Sequence, residues 1–402
     1  MARFGVGVRL RQGVAGALVL AAVLGSVLAA PSAAAPGAVV AIGGVPGPSA
    51  LVYDQARGEV FASDYQTGQV TVISGSNDSV VATVNVGLDP FALCYDPAVG
   101  EVFVANDANS TVSVISDTND SVVATIPVGS GPIALAYDSG KGEVFVADHN
   151  DNALSVISVT SDSVVATIPI GTTSVTGTFT PRALAYDPAK GEVFVANFGN
   201  SSVSVVSDSR DSVVATIPLS AAANGLTSSG TDPISLLYDP SSHDVFVANE
   251  GSNSVSVISD SYNAVTDAVS IGAPPIALAQ GPPGEVFVVN SENDLVSVLS
   301  DVTESVASQL TVGPNLFAGA YDPSTGTAFF ADVVDGTVFA VTPPAEAASS
   351  SSQAPQAGAA PPAPAPGGLT ATDAYFLIVD AAILVALLSA RVLAGRRRRA
   401  AG

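Results

Sequence analysis

An all-β ring of seven four-stranded antiparallel blades is the fold this sequence predicts, on three observations. A unit of roughly 42 residues is written seven times. Each unit reads as four short strands separated by turns. The seventh unit lacks its last strand, and an orphan copy of that strand stands ahead of the first unit. A fixed period in this range marks a repeat architecture, in which each unit buries its faces only against its neighbours. Four short strands per unit, repeated radially, is the β-propeller solution to the problem of exposed sheet edges.

The elements follow in chain order. Residues 1–35 read as a secretory signal peptide: Arg3, Arg9 and Arg11 form a basic start, Val14–Ala30 is apolar, and Pro31–Ala35 offers small residues for cleavage. Residues 36–342 are the propeller. Its clearest unit runs Pro132–Asp138, Gly142–Asp148, Leu154–Ser158 and Ser163–Ile168. The Tyr-Asp pair closing the first strand recurs at Tyr53, Tyr95, Tyr137, Tyr186, Tyr238 and Tyr321, with Gln280 in the sixth slot. The spacings are 42, 42, 49, 52, 42 and 41, and the two long ones reflect insertions around Thr172–Pro181 and Ser220–Asp232. Insertions of this kind map to loops, often on a binding face.

Within a unit, Phe103-Val104-Ala105 and Val112-Ser113-Val114-Ile115 have the β-branched and aromatic make-up and the alternation of strands. Segments such as Asp96–Gly100 punctuate them as turns. Pro127, Pro169 and Pro218 fall in the last strand, where a residue without an N–H suits a sheet edge. The seventh unit ends at Thr337–Val341, and Ala38–Gly43 supplies the missing outer strand, which predicts seven blades and a closed ring.

Residues 343–373, nearly all Pro, Ala, Ser, Gln and Gly up to Gly368, have almost nothing to bury and read as an extended stalk. Residues 374–395 are apolar over the ~20 positions a bilayer requires, and read as a transmembrane helix. Asp380 near its outer end reaches the interface, and Arg391 snorkels inward. Residues 396–402, with Arg396–Arg399, form a basic cytoplasmic tail, which places the propeller outside. The expected localisation is the cell surface, as a single-pass membrane protein.

Charge is strongly asymmetric. Residues 36–374 hold 35 of the 36 acidic residues and five basic ones (Arg57, Lys141, Arg182, Lys190, Arg210), a balance of −30. Such a field repels nucleic acid and favours cations or basic partners. The one cysteine, Cys94, sits in an inner-strand slot filled elsewhere by Val, Ala or Leu, and reads as a buried thiol. No Cys-x-x-Cys-His haem motif occurs.

The tetrads Phe103–Asn106, Phe194–Asn197 and Phe246–Asn249, the run Asn200–Val205 and the ending Ala215–Pro218 resemble the YVTN-type β-propeller repeat of archaeal and bacterial surface and surface-layer-associated proteins. The resemblance covers about Val39–Val341 and weakens in the sixth and seventh units. It implies an exported, surface-associated binding, adhesion or cell-envelope structural module, with envelope proteins or glycans as partners and no shared catalytic residues. Oligomeric state stays open.

Candidate sites lie where the repeat departs from itself. The Asn or Asp ending the second strand, present in nearly every copy, reads as a turn cap. Arg182 is the only charge in a slot occupied by Ser49, Phe91, Ile133, Ile234, Ile276 and Phe317. Propeller topology puts it on one face with both insertions and the unlike loops of blades three to five. Arg182, Phe179, Phe198, His149 and Glu250 are therefore the expected ligand-binding residues. Asp148 and Asp151 are candidate calcium ligands, without the spacing of a calcium loop; no other cofactor is expected. Sequons at Asn77, Asn109, Asn119 and Asn200 are candidate N-glycosylation sites. Some propellers resembling this one are metal-dependent lactonases or lyases that use His and Glu. Here only His149 and His243 exist, expected on opposite faces, so the sequence reads as a non-enzyme, with an extracellular metal-dependent enzyme as the alternative.

Overall fold

A computed structural model describes residues 39–171, 179–219 and 230–342. The expected signal peptide, stalk, transmembrane helix and tail lie outside these residues, as do 172–178 and 220–229 of the two insertions. Among the described residues no helix is long and apolar enough to cross a membrane.

The described residues form seven four-stranded antiparallel sheets. Blade three is representative: Pro132–Asp138 innermost, then Glu143–Asp148, Ala153–Ser158 and, outermost, Ser163–Pro169. The expected closure is present. Val39–Gly43 pairs with Thr337–Val341 as the outer strand of blade seven, with Val39 opposite Val341 and Gly43 opposite Thr337.

The core lies between blades. Leu135, Val144 and Val146 of blade three pack on Phe103, Val112 and Val114 of blade two, and the same pattern repeats around the ring. Phe61, Phe103, Phe145, Phe194, Phe246, Phe287 and Phe329 hold one equivalent position and are fully buried. No blade has a core of its own, so ring closure and core formation are one event.

Two recurrent bulges were not legible in the sequence, one in the inner strand of every blade and one in the outer strand of blades one to six. In the inner strand the register skips one residue after the opening position, between Pro181 and Ala183 in blade four. The skipped residue is the slot that holds Arg182. In the outer strand the skipped residue is Val81, Val123, Val165 or Val214 in blades one to four, each exposed, and Thr266 and Ala307 in blades five and six. Bulges re-aim side chains and disrupt sheet edges. The inner one turns the slot residue toward the channel; the outer one blunts an edge open to edge-to-edge pairing.

The two faces are now defined. Turns between first and second strands, and between third and outer strands, share one face, here the tyrosine face. Turns between second and third strands share the other face with the blade-to-blade connections, here the arginine face. Val39 and Val341 stand side by side at the tyrosine face.

The repeated polar residues belong to the scaffold. Asp54, Asp138 and Asp322 accept backbone N–H groups two and three residues on, which starts the turn after the inner strand. The preceding tyrosine reaches the carboxylate of the blade before it: Tyr53 to Asp322, Tyr95 to Asp54, Tyr137 to Asp96, Tyr186 to Asp138 and Tyr238 to Asp187. Burial first, then these carboxylates, pushes the phenols up, Tyr53 to about 12. The relay breaks at blade six, where Gln280-Gly281 replaces Tyr-Asp. Three of the five basic residues also bridge blades: Arg57 donates to the Asp117 carbonyl, Lys141 to that of Asp208 and Lys190 to that of Asp260.

The Asn or Asp ending the second strand is a turn cap in blades one and seven only, where Asp64 and Asp332 accept backbone N–H groups. In blades two, four, five and six it is a buried hub. Asn106, Asn197, Asn249 and Asn290 donate to Ser113, Ser204, Ser256 and Ser297 of the third strand. The hub needs space: a Cβ on Gly87 would lie 2.5 Å from Cγ of Asn106. Cys94 is buried as expected, and burial pushes its thiol up.

Candidate binding face and central channel

The inner-strand bulges place seven slot residues around the arginine-face mouth of the channel. The cavity there is about 240 Å³. Its collar is Ser49, Phe91, Ile133, Arg182, Ile234, Ile276 and Phe317, above a belt of Ala and Leu. Arg182 is thus the one formal charge in an apolar ring.

Three expected site residues meet at this mouth. The Arg182 guanidinium lies 4.6 Å from the centre of the Phe198 ring, a cation–π contact worth about 0.5–2 kcal/mol depending on desolvation. Phe198 opens a 3-10 turn, Phe198–Asn200, docked on the end of the first insertion: its N–H donates to Thr180 at 3.1 Å, and Gly199 N–H to Phe179 at 3.1 Å. His149 Nδ1 sits 3.3 Å from the Pro181 carbonyl. A carbonyl only accepts, so this contact selects the tautomer protonated at Nδ1.

Phe179 is different. It is 4% exposed and packs with Ile168 and Ile170 in the core between blades three and four. It anchors the insertion's end and does not face a ligand. Glu250 opens the turn Glu250–Ser252 one blade further on, where its N–H donates to Asp232 at the end of the second insertion. Both insertions therefore rejoin the sheet on the arginine face, Phe179–Thr180 beside Phe198 and Thr231–Asp232 beside Glu250.

Part of this mouth was missed in the sequence. Phe91 stacks edge-on with Phe317 at 6.2 Å and with Tyr65 at 6.3 Å, an aromatic corner on blades seven, one and two. Each sat in a slot where an apolar residue looks ordinary; only the ring brings them together.

Asp148 and Asp151, the candidate calcium ligands, both hold scaffold hydrogen bonds. Asp148 is the blade-three hub: fully buried, it accepts from Ser155 Oγ at 2.6 Å, and burial pushes its carboxyl up to about 6. Asp151 accepts from the Ser130 N–H at 2.7 Å. Calcium takes six to eight oxygens, and among the described residues no three of His, Cys, Asp and Glu gather to hold a metal.

At the other end the channel opens into a funnel of about 990 Å³. Tyr53, Tyr95, Tyr137, Tyr186, Tyr238 and Tyr321 ring it, with Gln280 in the seventh position. His243 lies on this face, 3.0 Å from the Tyr238 hydroxyl, so the two histidines stand at opposite faces as expected. Of the sequons, Asn77 and Asn119 lie on tyrosine-face turns and Asn109 and Asn200 on arginine-face turns; all but the half-buried Asn200 are exposed.

No family model and no curated protein matches the sequence. Solved structures do match in fold. Hydrazine synthase of Kuenenia stuttgartiensis aligns with TM-score 0.63 at 16% identity, over 74% of this chain and 96% of that one. A streptogramin B lyase aligns with TM-score 0.63 at 10% identity, over 75% and 96%. Virginiamycin B lyase from Staphylococcus aureus aligns with TM-score 0.62 at 13% identity, over 76% and 99%. At such identities the likeness establishes a shared seven-bladed propeller and nothing about chemistry.

Proposed function

We propose that this chain is an exported, membrane-anchored propeller of the YVTN-repeat kind that binds ligands at its arginine face. One observation carries the reading. Both ends of the propeller leave at the tyrosine face, Val39 beside Val341, while Arg182, His149, Phe198 and the ends of both insertions sit on the opposite face. A chain tethered through residues 343–395 then turns its least repetitive face away from the membrane. Although the domain as a whole is acidic, the mouth is locally cationic and apolar, and suits a ligand with one anionic group and an apolar body: Arg182 meets the charge, and Phe91, Phe317, Ile133, Ile234 and Ile276 meet the rest. Envelope glycans bearing carboxylates and acidic peptides of envelope proteins fit this description.

The test is a binding screen with the full chain in detergent micelles against acidic glycans and acidic peptides, wild type beside Arg182→Ala. The reading expects at least one captured ligand whose binding falls away in the variant. Binding unaltered across all captured ligands would remove Arg182 from the account.

A second reading, an extracellular lyase or hydrolase, is favoured by the fold shared with streptogramin B lyase and virginiamycin B lyase. Against it, the described residues that line the channel cavity include no carboxylate and no histidine, and His149 beside it is bonded to the Pro181 carbonyl.

A further inference from the structure

We propose that the tyrosine-face funnel is the docking site of the chain's own proline-rich segment, Pro361-Pro362-Ala363-Pro364-Ala365-Pro366. At about 990 Å³ the funnel lies at the upper end of the ~300–1,000 Å³ common for ligand sites. Six tyrosines ring it, and Pro97, Pro188, Pro240, Pro283 and Pro323 line its rim. Five of the six tyrosine hydroxyls are turned to the turn carboxylate of the preceding blade. Ring carbon is what remains for an occupant. At blade six Gln280 offers an amide where the other blades offer a phenol, and Tyr321 has Gly281 rather than an aspartate in the blade before it. Together with Gln55, Asp239 and Ser241 on the lining, these two give a mostly aromatic and aliphatic surface its polar handles.

Aromatic-lined grooves with a few hydrogen-bonding groups are how proteins recognise proline-rich chains. The extended polyproline conformation is nearly preformed, so ordering it costs little, and its carbonyls stay free to accept.

The placement of the chain selects this occupant. Val341 ends the third strand of blade seven at the tyrosine face, so everything after it departs on the funnel's side. At roughly 4.8 Å between strands, the inner strand lies only about 10 Å away. The 20 residues from Thr342 to Pro361 reach up to about 60 Å when extended, so the segment arrives without strain. Tethering places it at an effective concentration of order millimolar, which makes weak aromatic contacts sufficient. Charge agrees as well. Residues 347–372 contain no Asp, Glu, Lys or Arg, so the segment enters the mouth of a domain carrying a balance of −30 without repulsion.

Docking of this segment would shorten the stalk. It is independent of what the arginine face binds.

The test uses the full chain in detergent micelles, with p-benzoylphenylalanine in place of Ala363 and, as a control, in place of Ser350. Light-induced cross-links are mapped by mass spectrometry in an equal mixture of ¹⁴N- and ¹⁵N-labelled chains. The expected result is cross-linking from position 363 within single molecules to inner-strand segments carrying Tyr95, Tyr137 or Tyr186, above the control. Replacing Pro361, Pro362, Pro364 and Pro366 by serine lies outside the propeller and cannot unfold it; this variant should lose the cross-links. Cross-links scattered over outer strands, a yield equal to the control, retention in the serine variant, or mixed ¹⁴N–¹⁵N products in place of intramolecular ones would each overturn the proposal.

Discussion

Asp148 carries the clearest consequence of a single changed atom. Four other blades place an asparagine amide at this buried hub, donating to a third-strand serine; in blade three a carboxylate accepts from Ser155 instead. Burial raises this carboxyl from 3.8 to about 6. The folded state therefore holds the proton more tightly than the unfolded chain. Its contribution favours the fold below about pH 4 and is lost as pH rises through about 6. Asp148→Asn should consequently stabilise the protein at pH 7 by about 1–3 kcal/mol and leave it little changed near pH 4, measured by urea unfolding at both values. The tyrosine relay gives a second expectation. Tyr95→Phe removes a hydroxyl bonded to Asp117 at 3.2 Å and directed at Asp54, and should cost about 1–2 kcal/mol. Tyr321→Phe, facing no turn carboxylate in the preceding blade, should cost clearly less in the same denaturant series. At this scale the sequence made Arg182 visible because it alone was charged in its slot. It hid Phe91 and Phe317, whose slots are ordinarily apolar, and it offered Phe179 as a ligand residue when the core claims it.

Among the elements, the closing strand is decisive. Ile42 is 4% exposed and packs with Val60, Ile73 and Val338, so Val39–Gly43 joins blades seven and one. Ile42→Ala should cost about 2–5 kcal/mol in equilibrium unfolding, as deletion of a buried branched side chain does. Val123→Ala, on an exposed outer-strand bulge, should change stability by less than about 0.5 kcal/mol. Strands, turns and closure were legible because alternation, Gly and Asp-Pro signals, and the period all agree. The inner bulge was not: one extra residue between Pro181 and Ala183 leaves no mark in composition, yet it sets the direction of Arg182. The 3-10 turns after Asn106, Asn197 and Asn249 were likewise unannounced, and one of them brings Phe198 under the guanidinium.

For the whole molecule, further acids, half-buried ones, lean the same way. Burial raises Asp107 to about 6, and burial together with Asp267 raises Glu304 to about 7. With Asp148 they predict that the melting temperature rises as pH falls from 7 toward 5, because the folded state takes up protons over that window; a melting temperature that falls over the same range would contradict this. Seven blades without a separate core explain why the fold could be read from repetition alone. Repetition also marks what is common, so it said little about the site, which depends on a ring of unlike residues meeting across blades. The central claim is that this ring binds an anionic, partly apolar ligand through Arg182. Calorimetric titration of a ligand captured in the binding screen, into wild type and Arg182→Ala, tests it most directly. A loss of about 10- to 100-fold in affinity is predicted, the worth of one charge-assisted contact. Equal affinities for the two proteins would contradict the account.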